Sequence, residues 1–225
     1  MLRAVIFDMD GLLFDTERLC CDAWREVAAE AGYEMRDELF RSCVGRNSRD
    51  TREMVMAECG PSFPYDEFND RVRVRMRGLM AKDGPPEKPG VRALFSYLGD
   101  RGVPFALATS TSERSARWML ERAGLADRFA AFAFGGEVER GKPEPDIFLL
   151  ARDRLAKAAG TALAAEGIAV FEDSAAGIRA ALAAGMRPVF VPDMVDLSPD
   201  LHSRIWRRID SLAQAASDGF FADFA

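Results

Sequence analysis

The stretch VIFDMDGLLFDTE, residues 5–17, stays apolar as far as Phe7 and then sets Asp8 and Asp10 one residue apart before Gly11. Its first residues are the short β-branched and aromatic run expected of a fully buried strand. Aspartate and glycine are poor strand formers, so local propensity gives no reason for the pair at a strand exit. A turn accounts for Asp10 and Gly11 but leaves Asp8 unexplained.

Similar runs recur downstream: VPFALAT at 103–109, AAFAFGG at 130–136, IAVFED at 168–173 and RPVFVP at 187–192. Helical patterns lie between most of them, such as SERSARWMLERAGL at 112–125 and AAGIRAALAAGM at 175–186. Alternating strands and helices predict an α/β fold with a parallel sheet covered on both faces. Residues 14–89 break that rhythm with helix after helix, at 17–32, 48–59 and 66–81. The last of these alternates arginines at 71, 73, 75 and 77, yet Phe68, Val72, Met76 and Leu79 form a helical stripe. We read it as a helix with its arginines spread over the exposed sides. KDGPPEKPG at 82–90 is a linker. The expected organisation is an α/β core of residues 1–14 and 89–225, interrupted by a small helical domain at 15–88.

The chain has 225 residues, 48% hydrophobic and 29% charged, which suits a globular protein with a real core. A net charge of −6 gives no reason to expect nucleic acid or an anionic membrane as partner. No apolar run approaches the ~18 residues of a membrane span. Asp8 and Asp10 interrupt the only N-terminal apolar segment, which argues against a signal peptide, so a cytoplasmic protein is expected. Cys20, Cys21, Cys43 and Cys59 form no CxxC pair and have no histidine nearby, so they read as reduced, small hydrophobes. His202 is the only histidine, which disfavours a histidine-based triad or a histidine-ligated metal.

Open α/β sheets bind ligands beyond the carboxyl ends of their strands. Four such ends carry polar residues that a core does not need: Asp8 and Asp10, Thr109 and Ser110, Lys142, and Glu172 with Asp173. Singly, each is explained by a turn, a helix cap or a solvated loop. Jointly they gather four carboxylates on one sheet edge, an unbalanced charge that destabilises the fold. A divalent cation resolves it, and hard oxygen donors without His or Cys indicate Mg²⁺. Lys142 and a hydroxyl beside that cation describe a phosphoryl site. Lysine accounts for only four of the 30 basic residues, so its choice at 142 suggests a compact point charge rather than a planar fork.

These motifs resemble those of the haloacid dehalogenase-like hydrolases, in the branch with a helical cap inserted after the first strand. DMDGLLFDTE, the ATS ending at Ser110, GKPEPDIF and FEDSAAGIRAALAAGM occur in the family's order and extend to about Met186. The resemblance implies a Rossmann-like core and a cap that opens and closes over the site. It implies Asp8 as the nucleophile that forms an aspartyl-phosphate, and Asp10 as the acid and base. It also implies Mg²⁺ on Asp8, the Asp10 carbonyl and Asp173, with Glu172 bound directly or through water. Thr109, Ser110, Lys142 and the backbone at Met9 would then hold the phosphoryl oxygens.

Several chemistries share that scaffold. Dehalogenases of the family lack the second aspartate, which is present here as Asp10. Phosphonate hydrolases use a cap lysine, and VGRNSRD at 44–50 contains none. β-Phosphoglucomutases carry a histidine shortly after the DT, where Cys20 stands here, a departure that favours a phosphatase. A non-catalytic regulator binding a phosphorylated ligand is disfavoured because no motif position has decayed. The expected partner is a small phosphorylated metabolite, a sugar phosphate by preference. In the cap, Arg46 and Arg49, with Arg75 as a third, are the candidates to hold its hydroxyls, carboxylate or second phosphate. The C-terminal GFFADFA is expected to dock its phenylalanines on the core of a monomer, the alternative being a dimer contact.

Overall fold

The computed structural model describes residues 1–46 and 48–222. Its strands are β1 (Ala4–Phe7), β2 (Phe105–Thr109), β3 (Ala131–Phe134), β4 (Ile168–Glu172), β5 (Arg187–Phe190) and β6 (Arg207–Arg208). All pair in parallel, in the order β3-β2-β1-β4-β5-β6. The chain builds β2 and β3 on one side of β1, then crosses to build β4 on the other. The exit of β1 therefore lies at the topological switch point, where such sheets open a crevice.

The period-2 alternation of β1 divides the core into two layers. Val5 and Phe7 join Phe105, Leu107 and Phe171 against α5 (Val91–Asp100) and α6 (Glu113–Arg122). Ala4 and Ile6 join Ala106, Ala108, Ala131 and Ala133 against α7 (Asp146–Ala159) and α8 (Ala175–Ala183). The first layer is aromatic, with the Phe7 ring 5.2 Å from both Phe95 and Phe171. Each buried phenylalanine contributes roughly 1.5–3 kcal/mol, with roughly 0.5–1.5 kcal/mol more for a well-placed ring pair. Such packing fixes the end of β1 and with it the position of Asp8.

Between β1 and α5 come α1 (Thr16–Glu30), α2 (Asp37–Cys43), α3 (Ser48–Cys59) and α4 (Tyr65–Met80). They enclose a hydrophobic cluster of their own, centred on Trp24, whose ring meets Phe40 and Phe68 edge-on at 5.3 and 5.5 Å. The stripe on α4 differs from expectation at one end: Phe68 and Val72 are buried, but Leu79 is 52% exposed and Met80 is buried instead. The last turn leaves α1 behind, and Met80 packs into the sheet's cluster rather than the helical one.

The chain leaves and re-enters the core side by side. Asp15 N donates to Pro86 O and Lys88 N to Leu13 O, each at 2.8 Å. Asp193, in the segment after β5, accepts from Arg18 and Lys88 at 2.8 Å each, while Met194 and Val195 pack on the helical cluster. At the C-terminus, Phe220 is buried against Phe171 and Trp206, and Phe221 stacks on Tyr97. Phe224, the third phenylalanine of that stretch, lies outside the described residues. No helix among the described residues is long and apolar enough to cross a membrane.

Candidate active site

The exits of β1, β2 and β4 bring Asp8, Thr109, Glu172 and Asp173 together, and the loop before α7 adds Lys142. Lys142 is 1% exposed, a burial that lysine tolerates only when paired. Its Nζ donates to Asp8 Oδ1 at 2.5 Å, Glu172 Oε1 at 2.6 Å and the Ala108 carbonyl at 3.3 Å. Burial disfavours charge on the ammonium, but the Asp8 and Glu172 carboxylates outweigh it and raise its pKa. Glu172 Oε2 accepts from both the amide and the hydroxyl of Ser174, at 2.9 Å each. Ser174 also caps α8 by accepting from Gly177 N at 3.0 Å.

Burial pushes the Asp8 carboxyl up to about 7 against the pull of Lys142, with Glu172 and Asp10 adding to the push. Burial, then repulsion from Glu172 and Asp8, drives Asp173 well above the usual carboxylate range. Asp8, Glu172 and Asp173 each bring a carboxylate oxygen within 4.8 Å of the others. One lysine cannot balance three such groups, and an all-oxygen donor set of this kind fits a hard divalent cation. Gly11 makes this convergence sterically possible. It has φ +78°, and a Cβ there would lie 2.2 Å from Asp173 Oδ2.

Asp10 has different surroundings. Its Oδ1 accepts from Thr16 at 2.7 Å and its Oδ2 from Thr111 at 2.7 Å and Thr109 at 3.4 Å. Its side chain is held by these hydroxyls and is not one of the three carboxylates that meet there. Met9 buries its side chain in the sheet's core.

Asp8 and Asp10 open onto a cavity of about 240 Å³, walled by Thr109 and Ser110 from the core and by residues of α1, α2 and α4. Ser110 donates to the Gly45 carbonyl at 3.4 Å, a contact between the core and the loop joining α2 to α3. Arg46 lines the cavity and its Nε donates to Ser42 O at 3.2 Å. Arg49 is not brought to the site: it points outward, 77% exposed, and pairs with Glu53 one turn along α3. Arg75 pairs with Glu26 and Glu30 of α1.

The motif pattern does not single out Thr16, Glu17, Thr111, Asn69, Arg73 or Arg77, all of which reach the cavity wall. Glu17 is the least expected of them. Burial, then repulsion from Asp10, Asp8 and Asp193, pushes its carboxyl up to about 8. Thr16 lies inside the DMDGLLFDTE stretch, and Thr111 directly follows the ATS that ends at Ser110. Arg73 and Arg77 had only their four-residue spacing.

A sequence profile of haloacid dehalogenase-like hydrolases matches residues 2–185. The chain belongs to that family. This haloacid dehalogenase-like hydrolase is 35% identical to the phosphorylated carbohydrates phosphatase of Thermotoga maritima over 189 residues, 84% of either chain. It is 30% identical to the β-phosphoglucomutase of Bacillus subtilis over 196 residues, 84% of this chain and 83% of that one. Its fold overlays the crystal structure of CbbY from Rhodobacter sphaeroides in complex with phosphate, with a TM-score of 0.81 and 25% identity. The overlay covers 99% of this chain and 100% of that one.

Proposed function

We propose that this hydrolase releases phosphate from a small phosphorylated carbohydrate, using Mg²⁺ and an aspartyl-phosphate on Asp8, with residues 15–88 acting as a cap over the core. The observation that carries this reading is the contrast at the end of β1. Asp8 is held by Lys142 among carboxylates, and Asp10 by three threonine hydroxyls, both facing one cavity.

In the first step an Asp8 oxygen attacks phosphorus, the bond from phosphorus to the sugar oxygen breaks, and the departing alkoxide takes a proton from Asp10. In the second, Asp10 takes a proton from water as its oxygen attacks phosphorus. The bond to Asp8 then breaks and inorganic phosphate leaves. Lys142 balances charge as it spreads over the phosphoryl oxygens, with Thr109 and the Met9 backbone as further donors. Bound by Asp8, Asp173 and Glu172, with the Asp10 carbonyl, Mg²⁺ would neutralise the carboxylates and polarise the phosphoryl group.

The likeness to a β-phosphoglucomutase favours a second reading, transfer of phosphate within a sugar. Against it, Cys20 lines the cavity where that family's mutases place histidine, and its thiol pKa is raised by burial and by Glu17, which suits an inert neutral group. A panel of phosphorylated sugars with Mg²⁺ decides between them. Phosphate release that stops on chelation is expected. Glucose 6-phosphate formed from β-glucose 1-phosphate faster than free phosphate would establish the mutase, and no turnover of any ester would end both readings.

A further inference from the structure

Helix α1 starts without a side-chain cap. Asp15 stands at the N-cap, a position where aspartate usually accepts from the first turn, yet it makes no such bond. Its carboxylate instead meets Arg18 Nε at 3.1 Å and Lys88 Nζ at 3.9 Å. Both cations also converge on Asp193 Oδ1, at 2.8 Å each. The Asp193 side chain is wholly buried, whereas Arg18 is 54% exposed. The three partners come from distant parts of the chain. Arg18 lies in the first turn of α1, Lys88 in the linker that re-enters the core, and Asp193 in the segment after β5. That segment is anchored to the sheet by Val191 N, which donates to the Glu172 carbonyl at 2.8 Å.

Fold stability alone does not account for this arrangement. Asp193 Oδ2 has no hydrogen-bond partner among the described residues, and a buried carboxylate left half-satisfied is costly. What the arrangement does fix is the first turn of α1. That turn carries Thr16, a buried residue whose hydroxyl donates to Asp10 Oδ1 at 2.7 Å. We infer that Asp193 is a positioning residue for the two proton transfers of Asp10. Through Arg18 and Lys88 it holds the start of α1 where Thr16 orients the Asp10 carboxyl. Asp193 is not among the residues lining the cavity, so it acts only through these partners. This rests on the proposed hydrolase function and adds a residue to its acid and base chemistry.

The test uses the dependence on the leaving group, which a purely structural contact would not alter. Asp193→Asn keeps the shape of the side chain and removes its charge. Arg18→Gln breaks the same contact from its exposed end, and keeps the test open if the first variant does not fold. Each is assayed with an alkyl phosphate, whose leaving group needs a proton from Asp10, and with an aryl phosphate, whose leaving group does not. Small misplacements of a reacting group cost up to ~10²-fold, so kcat for the alkyl ester should fall about tenfold to a hundredfold. Phenolate release from the aryl ester in a single turnover should keep its wild-type rate. An equal fall for both esters, or unchanged turnover of the alkyl ester, would overturn the assignment. Amide hydrogen exchange of the same variants separates this from the reading beneath it. Faster exchange at residues 16–20, with β1 and β4 unchanged, supports the clamp on α1 even if no ester is hydrolysed, and unchanged exchange there rejects it.

Discussion

Asp8 and Asp10 are neighbours in the chain with opposite surroundings, and the difference suits their proposed roles. Asp8 touches a buried ammonium, which would hold it in place for the proposed attack. Among the described residues, Asp10's side chain is bonded by hydroxyls alone, which orient a carboxyl without pairing it to a cation. Asp10→Asn keeps the nucleophile and the backbone carbonyl while removing a group worth typically ~10²–10⁴-fold in rate. With an aryl phosphate, whose leaving group needs no proton, we expect a burst of phenolate approaching the enzyme concentration and then slow turnover. The phosphoenzyme should accumulate as a hydroxylamine-sensitive species, whereas an alkyl phosphate should give almost no burst. Near wild-type turnover of both esters would leave Asp10 as a turn residue only. Lys142→Arg is a companion test. A planar fork cannot replace a point charge shared by Asp8, Glu172 and Ala108, so initial rates should fall at least about tenfold.

At the scale of elements, the loop joining α2 to α3 closes the cavity. Gly45 sits there at φ +76°, and a Cβ added to it would lie 2.4 Å from Ser174 Oγ. Gly45→Ala would therefore incur left-handed strain of roughly 1–2 kcal/mol and press the loop away from the core. Activity should fall more than thermal stability does, and a variant with wild-type kcat/KM and melting temperature would show that this contact is not needed. The same loop shows what the sequence could and could not tell. VIF, FALAT and IAVFE are near-continuous apolar runs, so β1, β2 and β4 were legible, and α3 has the bounds its pattern predicts. The two-residue β6 and the seven-residue α2 are too short for periodicity to register. Among site residues, those at strand exits were legible because their polarity contradicts the strand before them. Arg46 and Arg49 could not be told apart, since two arginines so close in the chain give no sign of which lines the cavity and which pairs along α3. Arg73 and Arg77 were hidden because a solvated helix face carries arginines just as readily.

For the molecule as a whole, function loads the centre of the sheet with charge that the fold alone would not favour. Asp8 at about 7, Glu17 at about 8 and Asp173 well above its usual range all bind protons more tightly folded than unfolded. The sign follows from linkage: where the folded state holds more protons, stability falls as pH rises. These carboxyls stabilise the folded state relative to higher pH while protonated, and that contribution disappears as pH climbs through their folded values. Carboxyls held low by surface arginines, such as Glu30 and Glu137, lose their contribution only in acid, below this window. The metal-free protein should therefore melt at a lower temperature at about pH 8 than at about pH 5. A cation bound to the deprotonated group acts in the opposite sense, so saturating Mg²⁺ should raise the melting temperature more at the higher pH. Asp173→Asn removes one of the strained carboxyls and one donor, and should flatten both the slope and the response to Mg²⁺. A metal-free melting temperature that stays level or rises between these pH values would mean that the buried carboxylates are already balanced without a cation, and the metal site proposed here would lose its physical basis.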